Sequence, residues 1–191
     1  DVVHGLGDKV ALRELAEARG LQEHLPRHYA SPAEAAYPCI LKSAAGDFGR
    51  DCHIVGGAEE VLRIAGEGGV GRDWVLQELV LGQTEYAASL LVDRGAVLEV
   101  AGTAYDFDAE AYVWPRVRML GKRPREVPPA ELLVMGAFLG EYTGICNFNY
   151  KLGPGGSMRI FEVNTRIGGD LVMDVPRPLA RAFFERLGAL G

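Results

Sequence analysis

Of the 191 residues only three are cysteine and two tryptophan. Cys39, Cys52 and Cys146 are odd in number and lack paired spacing, so neither a disulfide framework nor a zinc site is suggested. Cys39 and Cys146 lie inside apolar, strand-like runs, where a buried inert thiol is expected, and a reducing cytoplasm fits that usage. No apolar run approaches the ~20 residues that span a bilayer, and no signal-peptide pattern opens the chain, so no membrane role is expected. Positive charge is also short: the net charge is -6. Nonspecific nucleic-acid binding needs a basic footprint, which this balance argues against, although a local basic site for a small anion is compatible with it. There is no internal repeat and no low-complexity tract. No Gly-Lys-Ser/Thr follows any glycine run, which rules out the P-loop pattern.

What is present is an ordinary globular mixture, 48% hydrophobic and 24% charged, long enough for one sizeable core or two small subdomains. The chain opens on Asp1 rather than Met, which suggests a trimmed or partial piece of a longer protein.

Asp8 can cap a helix running to about Arg19, with Leu12, Leu15 and Ala16 on one side and Gly20 as the stop. Tyr37 to Ser43 reads as a strand, followed by the loop 44–51 and a short returning strand at His53 to Val55. Ala58 to Ala65 has helical spacing, and the glycine-rich stretch 66–71 marks a subdomain boundary. Trp74 to Leu81 reads as a strand, and Glu85 to Val92 pairs with Ala96 to Gly102 around Asp93-Arg-Gly95. The segment 105–127, rich in aromatics and basic residues, admits strand, loop or both. Pro129 to Gly140 is an amphipathic helix with proline at its start, and Pro178 to Leu187 a closing helix. Long crossover helices are too few for an all-parallel sheet, so the expected class is α+β, antiparallel sheets with packed helices.

Three constellations carry chemistry. The first is the hairpin 146–169, two alternating runs around Gly-Pro-Gly-Gly. Period-two alternation puts Asn147, Asn149 and Lys151 on one face with Glu162 and Asn164, and Phe148, Tyr150, Phe161 and Val163 on the other. If Leu152 pairs with Ser157, Asn147 faces Glu162 and Asn149 sits diagonal to it. Carboxylate and amide oxygens suit a hard cation such as Mg2+ that keeps water and phosphate as its other ligands; an ordinary hairpin with a wet polar face is the alternative. The second is Lys42, a rigidly aimed point charge at the end of a strand before a glycine-containing loop whose amides can form an anion nest; a solvated lysine at a strand end is the alternative. The third is Gln77-Glu78-Leu79-Val80, an apolar strand that leaves through Gly82 and delivers Glu85. Exposed backbone at such a bend can read a flat heterocycle, and a carboxylate beyond it can accept both hydroxyls of a ribose; a Glu85 that only solubilises a strand edge is the alternative. Arg116 and Arg118 are candidates for a bidentate grip on a substrate carboxylate, with solvated strand positions as the alternative.

The order Lys9, Lys42 with its loop, Gln77-Glu78 with Glu85, then Asn149, Glu162, Asn164 and Arg166 resembles the ATP-grasp superfamily over about residues 8–175. Glu162-Val-Asn-Thr-Arg166 is similar to its closing Glu-x-Asn-x-Arg motif. The separation of Asn149 from Glu162 is similar to that of the two metal positions in D-alanine–D-alanine ligase-like enzymes. The resemblance implies a fold of two α+β subdomains of mainly antiparallel sheet, a central lid subdomain over 1–75 and a metal-bearing C-terminal one over 76–191. An N-terminal subdomain would come from a longer chain or a partner.

The resemblance further implies ATP with Mg2+ or Mn2+ as cofactors. Lys9 and Lys42 would contact phosphates beneath a lid of Gly46, Phe48 and Gly49. Backbone from Gln77 to Val80, with Phe161, would hold adenine, and Glu85 the ribose. Glu162, Asn164 and Asn149 would ligate the metal, Arg166 and Lys42 would neutralise the transferring phosphoryl group, and Gly168 would face the acyl centre. The implied activity is ligation of a small carboxylate to an amine through an acyl phosphate; a homodimer is compatible with it. A nucleotide-binding module without catalysis, or a bicarbonate- or carbamate-phosphorylating relative, is the alternative. Asn149 departs from the acid usual at the first metal position.

Overall fold

The computed structural model describes residues 6, 9–44 and 51–189, with only the backbone of Lys9 and Val10. Asp8, the expected helix cap, and the loop residues Gly46, Phe48 and Gly49 lie outside the described residues. The described elements are α1 (Lys9–Arg19), β1 (His28–Tyr29), β2 (Cys39–Ser43), β3 (Cys52–Val55), α2 (Ala58–Ala65), β4 (Trp74–Glu78), β5 (Thr84–Asp93), β6 (Ala96–Phe107), β7 (Met119–Arg125), α3 (Pro129–Leu139), β8 (Gly144–Leu152), β9 (Met158–Asn164), α4 (Gly169–Met173) and α5 (Arg177–Gly188). They form two compact units, one of residues 1–25, 84–106 and 119–191, the other of 26–83 and 107–118. Each unit is interrupted by the other along the chain; the sequence division after residue 75 falls within β4.

The first unit holds an antiparallel five-stranded sheet in the order β7-β6-β5-β8-β9. Its middle strand, β5, is buried at every position from Ala87 to Val92, because both faces are covered and no polar alternation is needed. Ala88, Leu90 and Val92 join Cys146, Phe148, Tyr150, Ile160 and Val163 against Leu12 and Ala16 of α1 and Met135, Phe138 and Leu139 of α3. On the opposite face Leu91 and Ala101 pack with Leu171 and Val175 and with Phe183 of α5. The β5–β6 turn has Arg94 at φ 45° and Gly95 at φ 80° between the paired Asp93 and Ala96. A two-residue hairpin turn with both central residues at positive φ matches the right-handed strand twist. Gly95 is also required by space, since a Cβ there would sit 2.1 Å from the Gly140 carbonyl oxygen. Arg19, in the last turn of α1, donates to the Ala137 and Phe138 carbonyls at 2.9 and 2.8 Å. It thereby satisfies two acceptors that the end of α3 leaves without helical partners.

The second unit holds an antiparallel four-stranded sheet, β1-β4-β2-β3. Cys39 and Leu41 alternate inward with Leu76, Val55 and Tyr29 and pack on Val61 of α2. The α+β class, with antiparallel sheets and packed helices, is as expected. All three cysteines are free, and Cys39 and Cys146 are fully buried. Burial pushes their thiols up, to about 11 and about 12, so both stay protonated and inert near neutrality.

Two expectations need correction: the β4 strand ends at Glu78, not Leu81, and β6 continues past Gly102 to Phe107. The segment 105–127 is both strand and loop, as its composition allowed, and ends in the edge strand β7. The length of β6 follows from having partners on both sides, which hairpin spacing alone does not reveal. No helix among the described residues is long and apolar enough to cross a membrane.

Candidate functional site

In the first unit, the β8–β9 hairpin presents the expected polar face, in a different register. Leu152 pairs with Met158, and a bulge lies between the pairs of Asn149 and Tyr150, where Asn149 opposes Glu162 but Tyr150 opposes Ile160. Phe161 is the extra residue, and Ile160 and Val163 therefore both reach the same core. One extra residue reverses the phase of a strand. The result is that Asn149 stands directly opposite Glu162 and Asn147 directly opposite Asn164, correcting the diagonal arrangement expected from Leu152–Ser157 pairing. Glu162 is exposed and Asn149, Phe161 and Asn164 are half-buried. Arg166, exposed just beyond β9, donates to the Ile167 carbonyl at 3.3 Å.

Behind this face lies a buried cluster that sequence reasoning did not assign. Asn147 Nδ2 donates to Asp170 Oδ1 at 2.8 Å and to Ser89 Oγ at 3.0 Å. The Ser89 hydroxyl donates to both Asp170 oxygens, at 3.1 and 3.2 Å. Asn149 Nδ2 donates to Asn147 Oδ1 at 3.1 Å. Burial pushes the Asp170 carboxyl up, opposed by the hydrogen bonds from the Leu171 backbone and Ser89. Gly168 is buried against this cluster: a Cβ would lie 2.2 Å from Asp170 Oδ1 and 2.6 Å from Asn147 Nδ2. Its need for glycine is steric. A lone serine in the apolar run Ala87–Val92 and an aspartate just after Gly168-Gly169 were the available signals.

Lys151, on the same strand, is 3% exposed. Burial pulls its ammonium down to about 8, against the field of Glu85, which favours the charged form. Glu85 is half-buried on β5 opposite Tyr105. Nearby on β6, the Tyr105 hydroxyl donates to Asp174 Oδ2 at 2.6 Å, and Lys122 pairs with the same carboxylate. Burial and Asp174 together raise the Tyr105 phenol well above its ordinary range.

The second unit carries the other predicted residues. Lys42 and Ile40 alternate away from the α2 core, and their cross-strand neighbours on β4 are Val75 and Gln77. Gln77 is buried with its Nε2 3.2 Å from His28 Nε2. The Glu78 carboxylate accepts from the Arg27 backbone N–H at 3.0 Å, and the Leu79 and Val80 side chains are buried. Arg116 donates to the Cys52 carbonyl and Arg118 forms an ion pair with Asp108 at 3.2 Å; both arginines are exposed. The side chain of Lys9 lies outside the described residues. Thus Asn149, Glu162 and Asn164 come together on one surface with Arg166 just beyond the strand, while Lys42 and Gln77 share a face of the other sheet.

Among the described residues no group of three or more His, Cys, Asp or Glu could hold a metal. One carboxylate with two amide oxygens is a weak, low-charge site for an isolated divalent ion, yet it suits a cation that arrives with phosphate ligands of its own. The residues fit magnesium on those terms.

No family model matches the chain, and no curated protein matches it. Several hundred solved chains are similar to it. An L-amino acid ligase from Bacillus licheniformis superposes with a TM-score of 0.63 at 19% identity, over 90% of this chain and 43% of that one. An N5-carboxyaminoimidazole ribonucleotide synthetase in its ADP complex gives 0.65 at 14% identity, over 93% and 50%. The biotin carboxylase domain of Hydrogenobacter thermophilus 2-oxoglutarate carboxylase, solved with MgADP and bicarbonate, gives 0.57 at 19%, over 88% and 42%. The chain spans about half the length of these structures. At such identities the likeness is one of fold.

Proposed function

Starting from the ATP-grasp fold that the chain carries, we propose that it is part of an ATP-dependent ligase that activates a carboxylate as an acyl phosphate for attack by an amine. The observation that supports this most is the hairpin register: an exposed carboxylate, Glu162, directly opposite Asn149 and two residues along the strand from Asn164. Glu162, Asn164 and the Asn149 amide oxygen would hold magnesium, which when bound screens phosphate charge.

The remaining roles belong to side chains and backbone. Lys42, with Lys9 and the loop of Gly46, Phe48 and Gly49, binds phosphate oxygens, and Arg166 neutralises charge on the transferring group. Backbone from Gln77 to Val80, beside Glu78 and with Phe161, receives the base, and Glu85 the ribose. Arg116 and Arg118 orient a substrate carboxylate, Arg118 by exchanging Asp108 for it, and Gly168 borders the acyl centre. Phosphoryl transfer asks a protein mainly for positioning and charge neutralisation. The carboxylate oxygen attacks the γ-phosphorus, ADP leaves, and the amine displaces phosphate from the acyl carbon as its proton passes to solvent.

Asn149 motivates a second reading, a module that binds nucleotide without turnover, since an amide lowers the charge of the metal site. The test is ADP release by the full-length protein with MgATP and a panel of carboxylate–amine pairs, bicarbonate included. Turnover that depends on one pair and is lost in Glu162→Ala supports the ligase. Tight ATP binding with no turnover on any pair supports the module, and no nucleotide binding at all contradicts both.

A further inference from the structure

An asparagine amide has two orientations related by a half-turn, and only one of them offers a cation an oxygen; the other offers N–H donors. In this hairpin the choice is made by the buried cluster behind it. Asn147 has two N–H groups, and both are engaged, one by Ser89 Oγ at 3.0 Å and one by Asp170 Oδ1 at 2.8 Å. Ser89, which accepts from Asn147, gives its own proton to the Asp170 carboxylate at 3.1 and 3.2 Å. The atom of Asn147 that faces Asn149 is therefore Oδ1, which can only accept. Asn149 must meet it with Nδ2, at 3.1 Å, and its Oδ1 is consequently turned away from Asn147, on a residue directly opposite Glu162.

We propose that Asp170, acting through Ser89 and Asn147, is a positioning group that fixes the Asn149 amide with its oxygen presented to a divalent cation beside Glu162. The proposal rests on the magnesium–nucleotide reading above. The three inner side chains are at most 5% exposed, so water does not compete for these contacts. The cluster has one net acceptor, the Asp170 carboxylate, and hydrogen-bond polarity runs outward from it through Asn147 to Asn149. Gly168 closes it, since any side chain there would displace both Asp170 and Asn147.

The test measures Mn2+ affinity of the full-length protein by electron paramagnetic resonance, with and without ATP. Outer-shell partners of a metal ligand commonly contribute tenfold or more in affinity, so Asn147→Ala should weaken ATP-dependent Mn2+ binding about tenfold while metal-free ATP binding is unchanged. Asn149→Ala should give a comparable loss. The double variant should lose no more than the larger single one, because Asn147 acts through Asn149. The exchanged pair Asn147→Asp with Asp170→Asn again turns an acceptor toward Asn149 and should restore most of the affinity. Additive losses, or an exchanged pair that binds as weakly as Asn147→Ala, would overturn the proposal; the exchanged pair decides it if Asn147→Ala does not fold. Absence of ATP-dependent Mn2+ binding in the wild type instead sinks the functional reading. The positioning is then read from hydrogen exchange of the Asn149 side-chain amide in metal-free protein, slow in the wild type and fast in Asn147→Ala, with equal rates overturning it.

Discussion

The two faces of the five-stranded sheet each bury a charged side chain, and they do so in opposite ways. On the α1–α3 face, Arg125 makes a two-pronged contact with Glu131 at 2.6 and 2.5 Å. Tyr150 accepts from Arg125 at 2.7 Å and donates to Glu131 at 2.6 Å, and Tyr86 lies 4.2 Å beneath the guanidinium. Positive and negative charge cancel within the cluster, the Glu131 contact raises the Arg125 pKa, and burial raises the Tyr150 phenol. On the other face, the Asp170 carboxylate is held by a hydroxyl and an amide, and that chain of hydrogen bonds leads on to Asn149 on the exposed hairpin. A closed network with balanced charge serves packing. One that leads from a buried carboxylate out to Asn149, opposite the exposed Glu162, can serve a site.

The largest expected effect is functional and confined to the open face. Glu162→Ala should lower ATP turnover by about 100-fold or more, a loss of the size seen when one transition-state-stabilising group is removed, with little change in melting temperature because Glu162 is exposed. Glu131→Ala should do the reverse. It strands Arg125, whose side chain is only 18% exposed, and breaking a buried pair from one side costs about 3–5 kcal/mol, read as denaturant stability. Replacing the whole cluster, Arg125→Met with Glu131→Leu and Tyr150→Phe, should recover most of that stability, since no buried polar group is then left unpaired. If turnover and stability fall together in both single variants, the contrast between the two faces is lost.

Gly168→Ala should have a smaller, mixed effect. The methyl must displace Asp170 and Asn147, an overpacking strain of about 1–3 kcal/mol, and ATP-dependent metal binding should weaken with it. An effect of similar size depends on pH. Lys151 has a folded pKa of about 8 against an ordinary 10.5, so the fold favours its neutral form. Stability is therefore reduced below about pH 8, where the buried group must be charged, and that penalty fades as pH rises toward 10.5. Lys151→Met should raise stability at pH 7 by on the order of 1–3 kcal/mol, and the difference from wild type should shrink through that window. A difference that stays constant with pH would show that Lys151 is not desolvated.

Much of this was legible in the chain. Alternation placed Asn147, Asn149, Glu162 and Asn164 on one face and Phe148, Tyr150 and Val163 on the other. Cys39 and Cys146 were readable as core thiols because their neighbours are apolar. Register was harder, because alternation continues unchanged on either side of a bulge, and nothing local marks Phe161 as the extra residue. Asp170 and Ser89 are 81 residues apart and meet because α4, after β9, packs on β5, so no local pattern joins them. The interleaving of the two units joins residues 107–118 to residues 26–83 and leaves the glycine-rich stretch 66–71 inside that unit, which no boundary signal in the stretch reveals.

The central claim is that the polar face of the hairpin holds the divalent cation of a bound nucleotide. It is tested most directly by adding Mn2+ with ATP to the full-length protein and recording the side-chain amide signals of Asn149 and Asn164. Paramagnetic broadening of both beyond detection, absent with Mg2+–ATP and absent in Glu162→Ala, is the predicted result. Sharp signals from both at saturating Mn2+–ATP would contradict it.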